Sequence, residues 1–136
     1  QTSNITYRIY DFNRLDDKGN PRELHTELSK DAIDYSVLPD YRTAYEACND
    51  ELVPLVSCDY FTTSLLKLTK PYEMPLGDLD SFVILICTSG KGTVTDNEGN
   101  SVEIRQGESV LVPASVKGLK FDTAEGLDML TSWIAE

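Results

Sequence analysis

The 136 residues amount to one domain's worth of chain with an attached remnant. A net charge of −11 excludes the basic surface that nucleic acid requires, and counts against anionic ligands wherever local arginines or lysines do not overrule the field. The composition, 40% hydrophobic and 26% charged, is that of an ordinary globular protein, and no run of about 18 apolar residues exists to span a membrane.

The polar start, Gln1 to Asn4, has no signal-peptide character and no initiator Met, so this end is expected to be processed or cut. Residues 1–14 alternate, with Ile5, Tyr7 and Ile9 on one side and Thr6, Arg8 and Tyr10 on the other, which predicts a strand. Residues 16–20 are a solvated turn. Pro21 then opens a helix, with Asn20 as N-cap and Glu23 completing a capping box, or with Thr26 as a second cap. Leu24, Leu28, Ala32 and Tyr35 form one helical stripe, and Pro39 stops any helix before it. Residues 41–54 show no period and read as a loop. Residues 60–69, rich in Thr and Leu, are the next strand, and residues 70–80, with two prolines and a glycine, are a connection.

The centre of the chain is residues 82–115. Phe82 to Cys87 is apolar throughout, as in a strand buried on both faces. Ser89, Gly90, Lys91 and Gly92 are expected to break it in a tight corner. Residues 93–95 and 101–104 are rich in β-branched residues and flank Asp96 to Asn100, a hairpin with a glycine-containing loop. Gln106, Gly107 and Glu108 turn the chain again, Ser109 to Val112 is a strand, and Pro113 ends it. Residues 116–121 and 127–134 close the set. The chain is therefore predicted to be mainly β, an antiparallel jelly-roll barrel with one N-terminal helix. The division expected is 1–52 for strand, helix and loop, and 53–136 for the barrel. Gly107 and Pro113, a glycine and a proline separated by five residues, resemble the second motif of the cupin superfamily.

Candidates for chemistry are few. The three cysteines, Cys48, Cys58 and Cys87, have no metal-like spacing, and an odd count suits reduced thiols in a cytoplasm. His25 is the one histidine, beside Arg22, Glu23 and Glu27, and reads as a surface or capping residue. One histidine supports neither a Ser/His/Asp set nor a zinc site, so no metal is expected in this chain. Trp133 and the tyrosines read as core. Arg8 lies mid-strand opposite Ile5, Tyr7 and Ile9; in a barrel mouth it would anchor a carboxylate or phosphate, and on a solvated face it would be an edge-strand charge.

Residues 2–14, Gly19 to His25, Lys30 to Asp34, Leu55 to Phe61 and Gly107 to Ser115 together resemble a segment of the type I mannose-6-phosphate isomerases in their short bacterial form. The resemblance keeps its order over nearly the whole chain and corresponds to the C-terminal part of such an enzyme. It implies a zinc enzyme interconverting mannose 6-phosphate and fructose 6-phosphate, with a phosphorylated hexose as partner. The zinc ligands would come from an earlier barrel, preceding Gln1, and the chain alone would be inactive. The family's active-site arginine lies in the motif matched by Thr6, Tyr7 and Arg8, which makes Arg8 catalytic, stabilising charge that develops on the substrate. A freestanding, metal-free cupin serving as a sugar-binding or subunit-interaction module is the alternative. Stripped of a neighbouring barrel, the N-terminal strand would expose an apolar edge, and a homodimer joined through it is expected.

Overall fold

A computed structural model describes residues 4–134. The chain divides into two compact units, Gln1–Tyr41 and Arg42–Glu136. Among the described residues the first holds one helix, α1 (Thr26–Ala32). The described residues of the second hold eight antiparallel strands: β1 (Leu52–Ser57), β2 (Thr62–Leu68), β3 (Tyr72–Pro75), β4 (Val83–Asp96), β5 (Ser101–Arg105), β6 (Ser109–Val112), β7 (Gly118–Asp122) and β8 (Leu127–Trp133). Among the described residues no helix is long and apolar enough to cross a membrane.

The strand order is β1-β2-β8-β4-β7-β3, with β5 and β6 also paired to β4. The fourteen-residue β4 is the axis of this arrangement. Its first half, from Val83, lies between β8 and β6, and its second half, from Lys91, between β5 and β7. The mainly β, antiparallel fold with one N-terminal helix expected from the strand pattern is the fold observed. Alternation within the strands makes the core. Leu66 and Leu68 of β2, Leu85 and Cys87 of β4, Phe121 of β7 and Leu127 and Met129 of β8 are all at most 2% exposed.

Several elements differ from the sequence reading. Residues 82–96 do not break at the glycines. β4 runs straight through them, with a register irregularity between Cys87 and Ser89 and a positive φ of 78° at Gly90. The glycines serve close approach. A Cβ on Gly90 would collide with the carbonyl oxygen of Gly126, and one on Gly92 would lie 2.6 Å from that of Asp122. Nor is Phe82 to Cys87 buried on both faces: Val83, Leu85 and Cys87 face the core, while Ile86 is 37% exposed and Phe82 precedes the strand. The sheet is antiparallel, so one face suffices to bury it. The connection 70–80 contains β3, which pairs with β7, and the loop 41–54 ends inside β1. Pro54 is tolerated there because β1 pairs with β2 alone and is an edge. The hairpin at 96–100 forms as expected, closed by Asp96 N–H to the Asn100 carbonyl (2.9 Å), with Gly99 at φ 89°.

The first unit departs further. Residues 4–14 contain no strand; residues 1–3 lie outside the described residues. Phe12 and Asn13 take φ of 52° and 55°, and Arg14 N–H closes a turn on the Asp11 carbonyl (2.9 Å), so an extended run cannot continue. The expected dimer therefore has no strand in residues 4–14 to be built on. Asn20 does not cap a helix. It closes the turn on Asp16, whose carboxylate accepts N–H bonds from Lys18 (2.9 Å) and Asn20 (2.8 Å), and Pro21 sits in a bridge with Leu15. The helix starts at Thr26 and ends at Ala32, and Leu24, Leu28 and Tyr35 of the expected apolar stripe are exposed. Six of the seven tyrosines are exposed as well; Tyr72 and Trp133 pack on the core as expected.

Asp50 ties the entry of β1 to the end of β2. Its carboxylate accepts N–H bonds from Thr69 (2.8 Å) and Lys70 (3.3 Å) and the Thr69 hydroxyl (2.8 Å). The Thr69 N–H, first among these, holds the carboxyl below the usual carboxylate range. A folded-state pKa below the unfolded one contributes stability at neutral pH that is lost as the pH falls through the folded value. Asp50→Asn is therefore expected to lower the urea midpoint at pH 7 and to leave a smaller drop between pH 7 and pH 3 than the parent shows. An equal drop in both proteins would refute this.

Candidate functional site

Arg8 and its surroundings lie wholly in the first unit. Among residues 4–41 the side chains that are not exposed are those of Arg8, Asp11, His25 and Ser29, all polar. The inside of this unit is a polar cluster, and its apolar residues point outward.

The cluster is held mainly through backbone. Arg8 N–H donates to Nδ1 of His25 (3.1 Å), and His25 N–H donates to the Arg8 carbonyl (2.7 Å). The Arg8 guanidinium donates from Nη1 to the Glu23 carbonyl (3.1 Å) and faces the Asp11 carboxylate at 3.7 Å from Nε. Asp11 also faces Arg22 at 3.5 Å, so one carboxylate stands between two guanidiniums. Asp11 Oδ2 is buried and accepts no hydrogen bond. An acceptor role for Nδ1 places the ring proton of neutral His25 on Nε2, which faces the Glu23 carboxylate at 3.9 Å. A guanidinium has five N–H donors, and the Glu23 carbonyl occupies one of Arg8's. What remains can grip an anionic or developing-anionic oxygen. The solvated edge-strand alternative for Arg8 does not describe this residue, whose side chain is 26% exposed and bonded within the cluster.

His25, read as a surface or capping residue, occupies the N-cap position of α1 but makes no side-chain cap bond. Its ring binds Arg8 instead. Sequence reasoning missed this, along with Asp11 and Glu23. The contact joins residues seventeen apart through a main-chain donor, and no side-chain spacing encodes it.

Other sites fit a sugar phosphate poorly. A cavity of about 490 Å³ in the second unit is lined by Leu52, Met74, Leu76, Leu79 and Trp133, with Asp78 its one charged residue. A phosphate there would meet no cation. A polar groove near Lys91 and Arg105 has cations, but Arg105 is bonded to Glu108 (2.9 Å) and Lys91 is paired with Glu125 (3.3 Å). Cys87 is buried, its thiol directed at the Ser89 carbonyl (3.4 Å), and burial pushes its pKa up, away from the reactive thiolate.

Among the described residues no three of His, Cys, Asp and Glu lie together in a way that would hold a metal ion. A zinc site takes three or four converging ligands, so these residues do not fit the zinc that the resemblance implies, and no chemical step is assigned to a metal here.

Residues 52–125, more than half of the chain, match the family described as mannose-6-phosphate isomerase, cupin domain. The mannose-6-phosphate isomerase of Streptococcus mutans is 28% identical over 90% of this chain and 38% of its own length. A probable mannose-6-phosphate isomerase of Bacillus subtilis is 29% identical over 84% of this chain and 36% of its own. The chain thus spans little more than a third of these relatives. The crystal structure of the Bacillus subtilis mannose 6-phosphate isomerase superposes with a TM-score of 0.63 at 23% identity, over 93% of this chain and 39% of that one, which shows a shared fold.

Proposed function

This chain belongs to the mannose-6-phosphate isomerase cupin-domain family, and from that premise we propose that it is the C-terminal portion of such an isomerase, inactive by itself because the zinc ligands precede residue 1. The complete enzyme interconverts mannose 6-phosphate and fructose 6-phosphate in the cytoplasm. Zinc would have to be held by residues outside this chain, where it would supply Lewis-acid polarisation of a carbonyl. The part of this chain is to supply Arg8, whose guanidinium stabilises negative charge on the substrate oxygens as a proton moves between C1 and C2.

The observation that carries the reading is the inverted first unit. Ile5, Ile9, Phe12, Leu28 and Val37 are 51–86% exposed while Arg8 is held inside by polar contacts. Large apolar side chains left exposed in this number support the reading that another body covers the unit. In the reading proposed, that body is the catalytic barrel, and covering the unit brings Arg8 to the substrate.

The test is an assay of mannose 6-phosphate isomerisation with this chain alone and with the complete protein, each after dialysis against zinc at neutral pH. The chain alone is expected to show neither activity nor stoichiometric zinc, and the complete protein both. One tightly held zinc or full turnover in the isolated chain overturns the proposal. The same exposed surface also suits the alternative, a metal-free subunit-interaction module. That reading gains if the complete protein proves inactive and the isolated chain sediments as a homodimer.

A further inference from the structure

We propose that His25 is a positioning residue for Arg8, an inference that rests on the reading of Arg8 given above. An antiparallel pair exchanges two N–H···O=C bonds between facing residues. Residues 8 and 25 exchange two bonds as well, but in one of them an imidazole nitrogen stands in for the carbonyl. Arg8 N–H goes to Nδ1 of His25 (3.1 Å), and His25 N–H returns to the Arg8 carbonyl (2.7 Å). Two residues earlier, the Glu23 carbonyl accepts from the guanidinium (3.1 Å). The segment 23–25 therefore holds Arg8 at its N–H, its C=O and its side-chain head.

Residue 25 is itself fixed. Its carbonyl accepts both the N–H (2.9 Å) and the hydroxyl (2.7 Å) of Ser29, the one buried residue of α1. The chain of restraint runs from the first turn of α1 to His25 and from His25 to Arg8. Asp11 restrains the guanidinium less sharply, since at 3.7 Å it attracts by charge without a directed hydrogen bond. A backbone held at both polar groups fixes the Cα–Cβ direction of Arg8, and with it the place from which the guanidinium reaches. A misplacement of about 1 Å at a reacting centre can cost about a hundredfold in rate.

The requirement on residue 25 is a neutral acceptor at the Nδ1 position. The side-chain oxygen of Asn occupies nearly that place. Gln carries its oxygen one bond farther out, and Ala has none.

In the complete enzyme, His25→Ala is expected to lower kcat about a hundredfold with KM for mannose 6-phosphate within about threefold, as for a group acting through the transition state. His25→Asn should recover most of the loss and His25→Gln should not. Asn and Gln differ by one methylene, so a general folding defect would strike both alike. In R8A/H25A the second change should add no further loss, because His25 acts through Arg8. Amide exchange adds a readout independent of turnover: the Arg8 N–H should be protected in the parent and in H25N, and lose protection in H25A and H25Q. Parent-like turnover in H25A, equal rescue by Asn and Gln, or multiplying losses in the double variant would each overturn the positioning role while leaving Arg8 in place. Parent-like turnover in R8A would instead overturn the Arg8 reading, and this inference with it.

Discussion

Arg8→Ala in the complete isomerase is expected to lower turnover by about 10²–10³-fold, the usual cost of removing one donor that stabilises developing charge. Each tenfold is about 1.4 kcal/mol of transition-state stabilisation. Substrate binding should change far less, because the ground-state sugar carries no charge at the oxygens where it later builds up. Arg8→Lys should recover little: an ammonium keeps the charge but cannot reach the Glu23 carbonyl and a substrate oxygen with the planar fork of a guanidinium. The measurement is steady-state kinetics with saturating zinc. A loss confined to KM would make Arg8 a binding group, and unchanged kinetics would remove it from the active site.

Phe121→Ala is expected to destabilise the eight-stranded unit by about 3–5 kcal/mol, the range for truncating a buried aromatic. Phe121 is fully buried, and its strand lies between β3 and the second half of β4. Its ring meets Tyr72 with centroids 6.4 Å apart, and its backbone neighbours are Tyr72 and Val94. Removing it leaves a void where three strands meet. Domains of this kind have about 5–15 kcal/mol in all, so the variant should unfold at a markedly lower urea concentration. Trp133, the single tryptophan and packed on the same core, reports the transition by fluorescence. A loss under about 1 kcal/mol would mean that the site collapses around the smaller side chain.

The sheet was legible where local chemistry decides local structure. Asp96 and Gly99 specify the hairpin because an acceptor side chain and a residue free to take positive φ are what the turn requires. β2 and β8 alternate cleanly and were read within two residues of their ends. The misreadings share one cause, which is that a remote partner decided the outcome. Gly90 and Gly92 look like a corner until Gly126 and Asp122 are seen pressing on them. Tyr72–Pro75 looks like a connection until β7 pairs with it. Residues 4–14 alternate as a strand does, yet the acceptor for Arg8 N–H is an imidazole rather than a neighbouring strand. The candidate site was legible as Arg8 alone, through resemblance. Its supporting residues were not, because backbone donors leave no mark on the pattern of side chains.

The placement of β8 has a consequence for how the protein is made. It is the last of the described strands in chain order, yet it lies inside the sheet, between β2 and the first half of β4. During synthesis the chain emerges at about 5–20 residues per second. Until residues 127–133 have left the ribosome, β2 and β4 each present an unpaired edge toward the gap that β8 will fill. Leu66, Leu68, Leu85 and Cys87, all buried in the finished fold, lack part of their cover for the same interval. The nascent chain therefore carries two adhesive edges from the emergence of β4 until β8 follows, and a chain cut short before residue 127 keeps those edges open rather than forming a smaller fold. Stabilising changes elsewhere in the sheet do not shorten that interval, because its length is set by when β8 emerges.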